Sequence, residues 1–118
     1  LLCAKFLIRE VIIFSSLNLL NQHLEQTKEV KQYAEWLAIT PKKLNELCKK
    51  HWGRTALQVV HERLLLEVKR LLMTQNLSHK EIAYRLKFDS PAAFSNFIKK
   101  KTGLTPTELQ YQLEQIYK

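Results

Sequence analysis

A chain of 118 residues has room for one compact domain and a short extra element. With 46% apolar and 25% charged residues it is too apolar to be disordered throughout, and two glycines and three prolines are too few for a many-stranded sandwich or barrel. The net charge of +8 is unevenly placed: residues 1–29 hold three basic and three acidic side chains, residues 30–118 sixteen and eight, so an anionic partner is expected for the later region.

In chain order, residues 1–21 predict a helix, with Phe6, Ile13, Leu17 and Leu20 at helical spacings. It is apolar on more than one side and therefore needs a partner: the rest of the domain, a further domain or a second copy of the chain. Lys5, Arg9 and Glu10 make it too charged for a membrane span, and no small-residue cleavage site follows. The polar stretch 21–28 reads as a linker. The chain begins with Leu rather than Met, so a fragment of a longer protein is expected, with residues 1–28 apart from a domain over 29–118.

Residues 29–38 predict a short amphipathic helix presenting Val30, Tyr33, Ala34 and Leu37. Thr40-Pro41 opens the next, because Thr caps well and Pro is tolerated at the first helical position. Leu44, Leu47 and Cys48 form its inner face, and Gly53 ends it. Thr55–Met73 predicts a helix of roughly 27 Å, with Leu57, Val60, Leu64, Leu65, Val68, Leu71 and Leu72 as its apolar face. Ser78-His79-Lys80-Glu81 is a capping-box pattern, and Ile82, Ala83 and Leu86 follow inward. Ser90-Pro91 starts a helix with Phe94, Phe97 and Ile98 inside and Gly103 at its end. Thr105-Pro106-Thr107-Glu108 opens a last helix to about Tyr117. The fold class expected is all-α.

Two stretches repeat. Ala34, Leu37 and Ile39 match Ala83, Leu86 and Phe88 at a shift of 49. Pro41, Leu44, Leu47, Lys49, Lys50 and Gly53 match Pro91, Phe94, Phe97, Lys99, Lys100 and Gly103 at a shift of 50, one extra residue in the second turn accounting for the change. Each copy (about 29–53 and 78–103) is a short helix, a tight turn and a second helix. That is the helix-turn-helix pattern, whose second helix enters the major groove. The connecting helix approaches the pitch of DNA in length, so two recognition helices are expected in successive major grooves.

Other chemistry finds little support. Cys3 and Cys48 form no CxxC, the four histidines show no zinc spacing, and no nucleophile–base pair or phosphate-binding glycine loop is visible. Neither an enzyme, a metal site nor a cofactor is expected, and a reduced, cytoplasmic chain is the simple reading. Trp36 and Trp52 read as packing residues, Cys48 as a small core residue, and His51, His61 and His79 as surface or capping-region residues. Lys99-Lys100-Lys101, at the end of a recognition helix, reads as phosphate-binding. Glu46 has the alternative of a local ion pair with Lys42, Lys43, Lys49 or Lys50. A helical module docking on an acidic protein partner stays open as the rival function.

The stretches YAEWLAITPKKLNELCKKHWGRTALQVVHERLLLEVKRLL and LSHKEIAYRLKFDSPAAFSNFIKKKTGLTPTEL resemble the two halves of the DNA-binding region of AraC/XylS-type transcription regulators, over about residues 30–110. The run IAYRL-x-F-x-S-x-x-x-F, followed by Lys99 and Gly-x-Thr-Pro, carries the resemblance most specifically. Three positions depart from the family: glycine usually stands where Ala38 and Lys87 are, and Cys48 replaces an aromatic. The resemblance implies sequence-specific binding of double-stranded DNA. Base contacts would come from Lys42, Asn45, Glu46 and Lys49 in the first unit and Ala92, Ser95 and Asn96 in the second. Phosphate contacts would come from Lys80, Arg85, Lys87, Lys99 and Lys100. The more polar first unit is expected to read more sequence. The resemblance further implies RNA polymerase as a partner, an effector-sensing domain upstream, and a homodimer formed through that domain or the N-terminal helix.

Overall fold

The computed structural model describes His23, residues 29–74 and residues 76–117. The predicted helix over 1–21 lies outside the described residues. Six helices follow: α1 (Val30–Trp36), α2 (Pro41–Trp52), α3 (Ala56–Thr74), α4 (His79–Arg85), α5 (Pro91–Thr102) and α6 (Pro106–Tyr117). The described residues contain no strand. The chain divides into two compact units between Arg63 and Leu64, inside α3.

In the first unit α1 packs on α2. Thr40 caps α2 by accepting the Lys43 N–H on its Oγ1 at 3.1 Å, with Pro41 at the first helical position. Gly53 ends it with φ 68°, its N–H donating to Lys49 O at 2.9 Å. The left-handed backbone there is glycine's natural territory. Thr55 and Gln58 then close a reciprocal cap at the start of α3: Thr55 N–H donates to Gln58 Oε1 at 2.9 Å, and Gln58 N–H to Thr55 Oγ1 at 3.1 Å. Tyr33, Ala34, Leu44, Leu47, Cys48, Ala56, Val59 and Val60 are buried. An apolar cavity of about 20 Å³ sits beside Cys48, bordered by Leu44, Trp52 and Val59. Burial pushes the Cys48 thiol up from its ordinary pKa and the Tyr33 hydroxyl up to about 12, so neither ionises near neutrality.

The second unit contains the rest of α3, with α4 packed on α5 and α5 on α6. Ser78 and Glu81 form the expected capping box at 3.1 and 3.4 Å. Ser90 caps α5 and Gly103, at φ 78°, ends it. Thr105 and Glu108 cap α6 reciprocally at 3.0 and 3.2 Å. Buried Leu64, Val68, Leu71, Leu72, Ile82, Ala83, Leu86, Phe94, Ile98, Leu109 and Leu113 supply its core. Gln110 donates from Nε2 to Leu72 O at 3.3 Å and bonds His79 Nε2 through Oε1 at 2.9 Å, which requires the proton of the neutral imidazole on Nε2.

Two packing expectations are corrected. Leu57, assigned to the inner face of α3, is 48% exposed, while Ala56 and Val59 are buried. One helix serves two cores: its first turns bury Ala56, Val59 and Val60 in one unit, and its later turns bury Leu64, Val68, Leu71 and Leu72 in the other. A single stripe drawn through all of them misplaces its first member. Trp36 is 42% exposed, with its ring edge-on to Tyr33 at 5.6 Å and 4.5 Å from His23. Trp52 is half-buried.

Candidate nucleic-acid interface

The corners of the two units are closed by the same hydrogen bonds. In the first, Leu37 N–H donates to Tyr33 O at 3.1 Å, Ala38 N–H to Glu35 O at 3.0 Å and Ile39 N–H to Ala34 O at 3.0 Å. In the second, Leu86 donates to Ile82, Lys87 to Tyr84 and Phe88 to Ala83, each at 3.0 Å. Every donor and acceptor matches at a shift of 49. Bonds reaching back five and three residues make a Schellman closure, which needs a left-handed residue after the helix. Ala38 supplies it at φ 59° and Lys87 at φ 57°. The missing glycines therefore do not alter the turn; alanine and lysine adopt glycine's conformation, at a cost of about 1–2 kcal/mol each. Small Ala34 and Ala83, both buried, sit in these corners, and Phe88 packs edge-on against Phe94 at 5.4 Å.

Beyond each turn, α2 and α5 bury one face and expose another. Lys42, Glu46 and Lys49 are exposed along α2 at spacings of four and three; Ala92, Asn96 and Lys99 are exposed at the matching positions of α5. A spacing of four and three is one side of a helix. Among the described residues Glu46 makes no ion pair, whereas Arg54 pairs with Glu62 and Arg70 with Glu67, the second with Arg70 Nε 3.0 Å from Glu67 Oε2. Ser95 is half-buried. Asn45 is half-buried too, and the structure gives it a bond absent from the sequence expectation: its Oδ1 accepts the Ala56 N–H at 2.8 Å.

The residues expected at phosphates, Lys80, Arg85, Lys87, Lys99 and Lys100, are all exposed. Basic side chains fill the last turn of both recognition helices, Lys49, Lys50 and His51 in α2 and Lys99, Lys100 and Lys101 in α5. They also complement the negative end of the helix dipole. The sequence reading missed Tyr84, which is 85% exposed one turn after Lys80 on α4 and shares a shallow hollow with Lys80 and Arg85. It also stopped the repeat at the glycines. The Thr55–Gln58 and Thr105–Glu108 caps, matched at a shift of 50, carry it into α3 and α6, and the signal was Thr-x-x-Gln against Thr-x-x-Glu. Glu108 is held below the usual carboxylate range by the Thr105 backbone N–H first, then by the Thr105 hydroxyl and nearby Lys99.

The profile of the helix-turn-helix domain family matches residues 33–112. HTH-type transcriptional regulator GlxA of Rhizobium meliloti is 34% identical over 87 residues, which are 74% of this chain and 27% of that protein. The chain thus spans about 27% of the curated relative it matches. Among solved structures, a transcriptional regulator from Chromobacterium violaceum described as AraC-type superposes with a TM-score of 0.78 at 21% identity, covering 90% of this chain and 95% of that one. The DNA-binding domain of the transcriptional factor AdpA, crystallised with a target DNA, gives 0.73 at 21% identity, covering 92% and 95%. The C-terminal domain of the response regulator yesN from Fusobacterium nucleatum gives 0.65 at 25%, covering 91% and 97%. These likenesses show the fold, and the match over 33–112, spanning both corners with their shared hydrogen bonds, shows the family: the chain belongs to the helix-turn-helix domain family.

Proposed function

We propose that this chain is the DNA-binding end of a bacterial transcription regulator and binds double-stranded DNA in a sequence-specific manner. The observation that carries the reading is the duplicated corner, followed in each copy by a helix with one face buried and a polar or basic face exposed. Lys42 and Lys49 suit guanine, Glu46 suits the amino group of cytosine, Asn96 suits adenine, and Ala92 suits a thymine methyl. Ser95 sits beside these. Lys80, Arg85, Lys87, Lys99 and Lys100 neutralise phosphates. AdpA, a neighbour in fold, is seen with its target DNA, which supports the same partner here. Such a chain acts by occupying DNA in the cytoplasm, beside RNA polymerase, and catalyses nothing.

The test is selection of bound duplexes from a random pool, followed by titration at several salt concentrations. The expected result is one preferred site, a steep fall of affinity with salt, and a similar weakening on all sequences for Lys99→Ala. Failure to bind any duplex at low salt would transfer the basic surface to an acidic protein partner.

A further inference from the structure

Asn45 lies next to Glu46 on α2, yet its amide oxygen is engaged inside the first unit. The oxygen accepts the N–H of Ala56, eleven residues further on, at 2.8 Å. Ala56 opens α3 and is buried. N–H groups in a first turn have no partner within their own helix, and a buried one left unmet is costly. Asn45 meets this one, and so ties the recognition helix to the start of α3.

At a shift of 50 the same two positions in the second unit are Ser95 and Pro106. Proline has no N–H to satisfy. Ser95 makes no side-chain hydrogen bond among the described residues. The rest of the corner is common to both units: glycine donates to Lys49 O or Lys99 O, and threonine pairs with Gln58 or Glu108. The exchange of Asn for Ser thus accompanies the exchange of Ala for Pro.

We propose that Asn45 is a positioning residue rather than a base reader. It sets α2 against the start of α3 so that Lys42, Glu46 and Lys49 meet the groove in one orientation; in the second unit Pro106 removes the need and releases Ser95 toward DNA. The proposal rests on the DNA-binding reading above. Bidentate pairing of an Asn amide with adenine uses its oxygen as well as its nitrogen, and here the oxygen is committed to Ala56.

The experiment compares Asn45→Ala, Asn45→Asp and the double variant Asn45→Ala with Ala56→Pro in the 118-residue chain. Each is melted, and each is titrated with a panel of duplexes differing from the selected site at one base pair. Asn45→Ala is expected to melt roughly 5 °C lower and to lose affinity by a similar factor across the panel. Asn45→Asp keeps an accepting oxygen; it restores the melting temperature and the order of preference, with a uniform loss of affinity from its added negative charge. The double variant, lacking the N–H, melts above Asn45→Ala. If Asn45→Ala is too unstable to titrate, Asn45→Asp decides alone. A base-reading Asn45 gives the opposite pattern, which overturns the proposal: both single variants lose preference at one or two base pairs by roughly tenfold or more, with melting unchanged. Absence of duplex binding by the unsubstituted chain overturns the DNA-binding reading and the positioning role with it. Unaltered melting of Asn45→Ala, with binding intact, overturns the tie alone.

Discussion

Ala38 and Lys87 hold φ at 59° and 57° because the bonds from Ile39 to Ala34 O and from Phe88 to Ala83 O close only around a left-handed residue. A β-carbon is crowded in that conformation. Glycine would relieve the crowding but would lose more chain entropy on folding, so the net gain is part of the strain. Ala38→Gly and Lys87→Gly are each expected to raise stability by about 0.5–1 kcal/mol, read as a melting temperature a few degrees higher. Lys87→Gly should also weaken duplex binding on every sequence, whereas Ala38→Gly should leave binding alone; equal effects of the two on affinity would remove Lys87 from the phosphates. The sequence shows that glycine is absent at both positions. It does not show whether the turn bends or the side chain strains, since φ follows from the closing hydrogen bonds and not from residue identity.

At the scale of the helix, starts and stops were the most legible features. Thr40-Pro41, Ser78-x-x-Glu81, Ser90-Pro91 and Thr105-x-x-Glu108 all form the caps their spelling suggests, because capping is a contact within four residues. Less legible was whatever reaches farther. The face of α3 changes along its length because two cores compete for it, so Leu57 was placed inside and Val59 left out. The partner of Asn45 lies eleven residues away, and residue type alone fits a base reader as well as a tie. One cap also makes a prediction about acid. Because the folded pKa of Glu108 is lowered, its ionised form contributes stability above the ordinary glutamate value of 4.5, and that contribution is lost as pH falls through the lowered value. Glu108→Gln keeps an oxygen for the Thr105 N–H, as Gln58 does for Thr55. Its melting temperature is expected to lie slightly below that of the parent at neutral pH, and the two curves should converge as acidification protonates Glu108. Curves that stay parallel would mean that the charge of Glu108 contributes nothing.

For the molecule as a whole, the basic excess lies entirely within 30–118, the region that holds both corners, while residues 1–29 are balanced in charge and their first 20 are rich in apolar side chains. That contrast fits an N-terminal stretch that meets protein and a later region that meets DNA. Removing residues 1–21 is expected to lower the oligomeric state or raise solubility, measured by light scattering; an unchanged mass and solubility would leave that stretch without a role in association. No helix among the described residues is long and apolar enough to cross a membrane. Within each recognition helix the buried positions, Leu44, Leu47 and Cys48 in α2 and Phe94 and Ile98 in α5, share no member with the exposed positions 42, 46, 49 and 92, 96, 99. The helix therefore keeps its address and its foundations on separate residues. Under the proposed reading, point substitutions would redirect such a chain to a new operator while its core stands unchanged, and the second unit, where no asparagine is bound to the next helix, would have one more letter free to change than the first.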